Sequence, residues 1–161
     1  TKTEAKKHTV HPYFIKEYNG RMYLIGKDIH PVKESKFLTF AFDRMSDVIK
    51  MNQTFREEEM DKENYFHAAI GISLPDSKPE KIVLQFDPLQ ASYLKSQPLH
   101  HSQQIIKETK NEFTLSVELV INYELRSLLQ SFGNKVKVMK PASLALEMKQ
   151  VAERMLANYQ S

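Results

Sequence analysis

The dipeptide Asn19-Gly20 constrains this chain more than any other feature. It stands between two runs rich in aromatic and β-branched residues, in the stretch HPYFIKEYNGRMYLIGKD over residues 11–28. A two-residue type I′ turn needs positive φ at both central positions, which Asn and Gly tolerate best. The dipeptide therefore predicts a β-hairpin in fixed register, with Tyr18 opposite Arg21, Lys16 opposite Tyr23 and Phe14 opposite Ile25. Alternation places those six side chains on one face, and Tyr13, Ile15, Glu17, Met22, Leu24 and Gly26 on the other. Neither face is cleanly polar, which predicts a core on one side and a partly covered or functional surface on the other.

Beyond the hairpin, PVKES reads as a loop. KFLTFAFD alternates, with Leu38, Phe40 and Phe42 on one face and Thr39, Ala41 and Asp43 on the other. DVIKMNQTF reads as a further short strand or a bulged continuation, ending near Phe55. These short strands predict a small SH3-like or Sm-like β-barrel over residues 1–58, entered part-way through its first strand. Residues 59–79 read as a linker, with an acidic opening, a short helix over 65–69, and Gly71, Pro75 and Pro79 as breakers.

Residues 80–161 carry a clearer pattern. KIVLQFD is a strand, Asp87 caps a helix with Pro88 at its first position, and SQQIIKET and EFTLSVELVI pair through Lys110-Asn111. Asn122 caps a second helix with an apolar stripe of Leu125, Leu128, Leu129 and Phe132, and Gly133 stops it. KVKVMKP is a last strand, and a final helix over 143–159 carries Leu144, Met148, Val151, Met155 and Tyr159. The order β-α-β-β-α-β-α predicts a ferredoxin-like unit with an extra C-terminal helix, so the whole chain is expected to be α+β.

Composition narrows the function. With no cysteine among 161 residues, neither disulfides nor thiolate chemistry is available. No signal-peptide core or long apolar run occurs, which predicts a soluble, cytoplasmic protein without a membrane partner. A net charge of +3 and a pI near 8.9 are too mild for a dedicated duplex-DNA binder. No G-x-S-x-G, P-loop or H-E-x-x-H motif occurs, so an enzyme is not expected, nor a cofactor. His100-His101 and the acidic run at Glu57, Glu58 and Glu59 read as structural: adjacent side chains diverge, so no metal site is expected.

Pro12-Tyr13, Met22-Tyr23-Leu24 and Phe40-Ala41-Phe42-Asp43-Arg44-Met45, in that order, resemble the WYL domain, named for a Trp-Tyr-Leu triplet. The ending VKVMKPASLALEMKQVAERML is similar to the extension called WCX. Met22 stands where the family has Trp, and Leu38 where it often has Arg. The resemblance implies a bacterial transcriptional regulator in which an Sm-like WYL barrel senses a ligand and WCX takes part in homodimerisation. It implies a nucleic-acid or nucleotide-type effector, and DNA reading by an N-terminal helix-turn-helix outside these residues. A small-metabolite sensor and a stand-alone Sm-like RNA-binding protein are the alternatives. An anionic, base-containing ligand needs ring faces and cations. On that basis His11, Tyr13, Tyr23, Lys27 and Arg44 are the candidate ligand-binding residues, with Lys16, Tyr18 and Arg21 as additional basic and aromatic surface.

Overall fold

The computed structural model describes residues 6–30, 37–74 and 77–160, which fall into two compact units divided between Tyr65 and Phe66. The first is built on the predicted hairpin, β1 (Val10–Tyr18) and β2 (Arg21–Asp28). Asn19 and Gly20 take φ of 50° and 72°, as the tight turn demands, and the Gly20 N–H donates to Glu17 Oε1 at 2.6 Å. The register is the predicted one from Tyr18–Arg21 to Phe14–Ile25.

Beyond Phe14 the strands depart from simple alternation. A β-bulge lies between Pro12 and Phe14, so that Pro12 pairs with Gly26 and His11 with Lys27. The extra residue, Tyr13, leaves the Ile15 face to which alternation assigns it, and its ring meets Phe37 edge-on at 4.6 Å. Phe37 opens β3 (Phe37–Ala41), directly opposite Lys27. Tyr13, Phe14, Ile25, Phe37, Phe55 and Tyr65 thus make a small aromatic core on one side of the sheet. Tyr65 packs on Phe14 and Phe37 at 5.9 and 5.6 Å, and its burial pushes the phenol pKa up. The other face leaves Ile15, Met22 and Leu38 exposed.

The expected barrel does not close among the described residues. The sheet has three strands in the order β1-β2-β3, and residues 47–55 form no strand. Asp47 turns to a φ of +52°, breaking the extended run, and Val48 and Ile49 stand exposed. The expected helix over 65–69 is a series of turns instead. Ala68 gives its carbonyl to Val120 N at 2.8 Å rather than to a helical ladder. PVKES, Pro75 and the first five residues of the entering strand lie outside the described residues.

The second unit keeps the predicted element order. Its strands are β4 (Glu80–Phe86), β5 (Gln104–Glu108), β6 (Phe113–Leu119) and β7 (Val136–Lys140), antiparallel in the order β5-β6-β4-β7. A 3₁₀ turn at Pro88–Gln90 leads into α1 (Ala91–Ser96), capped by Asp87 accepting from Leu89 N at 2.9 Å. The next helix, α2 (Tyr123–Ser131), is capped by Asn122 accepting from Leu125 N at 2.8 Å. Ile82, Leu84, Phe113, Leu115, Val117, Leu119, Leu125, Leu129 and Leu144 form its core, each at most 1% exposed.

Helix α3 (Ala142–Ala157) is tied to α2 by Arg126, which grips both Glu147 carboxylate oxygens at 2.6 and 3.3 Å. Only its first turns reach the core, through Leu144, Ala145 and Met148. Met155 and Tyr159, expected on the packed stripe, are exposed together with Leu146 and Leu156. A helix of this length extends about 24 Å, beyond the reach of the core beneath its first half.

The close approach at Gly26 is testable. A Cβ there would lie 2.5 Å from Val10 Cγ1 and 2.7 Å from the His11 carbonyl oxygen, whereas at Gly20 it meets nothing within 4 Å. Gly26→Ala should cost about 2 kcal/mol by overpacking, and Gly20→Ala about 1 kcal/mol through its φ alone. Thermal melts should rank them in that order; a Gly26→Ala melt at the wild-type temperature would contradict the pairing.

Candidate ligand-binding site

The bulge brings three of the five candidate residues together. His11 and Lys27 are cross-strand partners, and Tyr13 sits beside them on the same side of the sheet. The Lys27 side chain is 11% exposed, with its ammonium 5.0 Å from the centre of the Phe37 ring and ion-paired with the Glu58 carboxylate. An aromatic face and a carboxylate are the partners that offset the cost of burying an ammonium. The Glu58 backbone N–H also donates to the Tyr13 hydroxyl at 3.2 Å. The His11 ring stacks on Phe55 at 4.2 Å and 5°.

Residues 55–58 therefore fold back over this end of the sheet. The partners of the ion pair differ sharply in exposure: the Glu58 side chain is 62% exposed and Lys27 is not. Sequence reasoning assigned Glu58 to a solvated acidic run and missed it. Its position soon after Phe55, a ring needed by the core, was the available signal.

Tyr23 and Arg44 lie elsewhere. Tyr23 shares the face of Lys27 but sits four residues away on β2, about 13 Å along the strand, half-buried and paired with Lys16 and Ala41. Arg44 closes a 3₁₀ turn at Phe42–Arg44 and is exposed, with no partner among the described residues. The nearby Asp43 pairs with Arg21 at 3.6 Å rather than with Arg44, a half-exposed contact worth little by itself. Tyr18 and Arg21 face each other beside the turn. The candidate residues on this face of the sheet thus run from a covered end at His11, Tyr13 and Lys27 to Lys16, Tyr18, Arg21 and Tyr23 towards the turn, while Arg44 lies outside the sheet. Met22 and Leu38 lie on the other face.

Next to the covered end, Asp28 is buried and accepts from His8 Nδ1 at 2.5 Å and from His30 N at 3.0 Å. The His30 amide, followed by the His8 imidazole, holds the Asp28 carboxyl below the usual carboxylate range.

The family described as WYL domain matches residues 1–49, and that described as WCX domain matches residues 78–156. The chain belongs to the WYL-domain family, carrying a WYL domain followed by a WCX domain. Among solved structures it is similar to the proteasome accessory factor B/C (PafBC) of Arthrobacter aurescens, at 13% identity and a TM-score of 0.44. That similarity covers 97% of this chain and 23% of the PafBC chain, so the chain spans under a quarter of that protein's length. No curated protein matches it in sequence. No helix among the described residues is long and apolar enough to cross a membrane.

Asp28 supplies a pH prediction. Because its native pKa is depressed, its stabilising contribution is complete above the unfolded value near ~4 and is lost as pH falls through the lower native value. Urea unfolding of the wild type should show stability dropping in that acid window, and Asp28→Asn should lose this part of the slope. Superimposable pH profiles would contradict the assignment.

Proposed function

We propose that this chain is the non-enzymatic, ligand-sensing and dimerising region of a bacterial, cytoplasmic helix-turn-helix transcriptional regulator. Its effector is a single-stranded nucleic acid or a nucleotide-type ligand. The observation that carries this reading is the Lys27–Glu58 pair, a buried cation whose counter-ion is an exposed, displaceable carboxylate. A ligand phosphate takes the place of the Glu58 carboxylate on Lys27, while bases stack on the rings that line this face of the sheet. The separation between Lys27 and Tyr23 favours an extended ligand with several phosphates. A small metabolite would use the Lys27 end alone.

Displacing Glu58 also releases its amide bond to Tyr13, so binding loosens residues 55–58 from the sheet. Ligand and Glu58 cannot both hold Lys27, so the ligand binds the released arrangement more tightly, which is the differential affinity a switch requires. In the full regulator that switch repositions DNA-reading heads attached outside this chain. The second unit is read as ferredoxin-like, supported by its β5-β6-β4-β7 order. The exposed Leu146, Met155 and Leu156 of α3, with Tyr159 just beyond its end, support a second copy of the chain as its partner.

Fluorescence anisotropy with a labelled thymidine oligonucleotide tests the site. Lys27→Met, which keeps the stem against Phe37, should weaken binding roughly tenfold, the size of one charge-assisted hydrogen bond. Glu58→Gln should tighten it, and wild-type affinity should fall steeply with salt. A salt-independent affinity points to an uncharged metabolite instead, and unchanged binding by Lys27→Met would sink the site. In light scattering, Leu156→Glu should convert a dimer to a monomer; an unaltered dimer would move the interface off α3.

A further inference from the structure

A second cluster of titratable side chains lies wholly in the second unit. His67, in the turns at 62–68, meets His100 and His101 from the loop between α1 and β5. The Nε2 atoms of His67 and His101 are 2.7 Å apart, with ring centroids at 3.9 Å. His100 braces the pair. Its Nε2 donates to the His67 carbonyl at 2.8 Å, which leaves Nδ1 to accept from Ser102 Oγ at 2.8 Å and Ser102 N at 3.3 Å. Ser102 Oγ in turn accepts from Glu118 N at 2.9 Å, anchoring the loop to β6.

This arrangement points two exposed imidazole nitrogens at one place in solvent and spends both nitrogens of the third ring on holding them there. A lone N–H···N bond between exposed rings contributes little stability. Imidazole is a preferred donor for zinc, nickel and copper. Zinc bonds imidazole nitrogen at about 2.0–2.1 Å, so two such nitrogens on a tetrahedral ion stand about 3.3 Å apart. Opening the observed 2.7 Å pair by about 0.6 Å reaches that spacing, and the ion then takes the place of the shared proton.

We propose that His67 and His101 form an open site for a divalent transition-metal ion, held in geometry by His100 and Ser102. The protein donors are two, with water completing the coordination. Among the described residues, no group of three or more His, Cys, Asp or Glu is placed to hold a metal. The site is therefore exchangeable rather than structural, and the bound ion clips the turn at His67 to the loop at His101.

Calorimetric titration of the tag-free chain with NiCl₂ and ZnCl₂ tests this. One ion should bind per chain, and it should raise the melting temperature, as any ligand selective for the folded state does. MgCl₂, which prefers oxygen donors, should give no heat. His67→Gln and His101→Gln should each weaken binding by about tenfold or more and remove the metal-induced shift in melting, while melting as the wild type does in EDTA. His30→Gln, in the other unit, should bind as the wild type does. Binding that survives in the His67→Gln/His101→Gln double variant, or a wild-type chain that takes up neither ion, would overturn the proposal.

Discussion

The bulge at Tyr13 decides what the first unit can do. A strand has two faces, and an extra residue exchanges the faces of everything beyond it. With the bulge, His11 and Tyr13 join Lys27 and Phe37; without it, they would stand on the opposite side with Ile15 and Met22. The close approach of Gly26 to β1 fits the same distortion, since a side chain there would strike the Val10 side chain and the His11 carbonyl. One irregularity of pairing thus builds both the aromatic core and the candidate site.

Lys27 inherits a problem from that arrangement. A nearly buried ammonium must be paired, because desolvating an uncompensated charge costs several kcal/mol or roughly that order. Glu58 meets the need from a segment outside the sheet, and it does so while remaining largely in solvent. An intramolecular carboxylate in that position occupies the place an anionic ligand would take. Under the proposed function, the contact that stabilises the chain is also the one a ligand phosphate would take over, so binding would be coupled to release of residues 55–58.

Local signals were legible in the sequence. Asn19-Gly20 fixed the turn and the near register, Asp87 and Asn122 capped their helices, and the alternation over Phe113, Leu115, Val117 and Leu119 marked the buried strand. The bulge was not legible, because it depends on how two strands fit together rather than on either one's pattern, and so Tyr13 was assigned to the wrong face. Residues 47–55 read as a strand, yet with Asp47 in the left-handed region they form an irregular stretch, exposed up to Phe55. His100 and His101 were expected to diverge as strand neighbours do; a loop lets them converge on His67. The candidate residues were picked by type and motif position. Their division into a covered end and an end towards the turn comes from tertiary contacts with Phe55 and Glu58.

The most direct measurement is an amide NMR titration of the ¹⁵N-labelled chain with a thymidine oligonucleotide. The largest shifts should fall at the Glu58 and Tyr13 amides, with further shifts along β1 and β2 as far as Tyr23. Shifts confined to the second unit, with Glu58 and residues 11–28 unmoved, would contradict it.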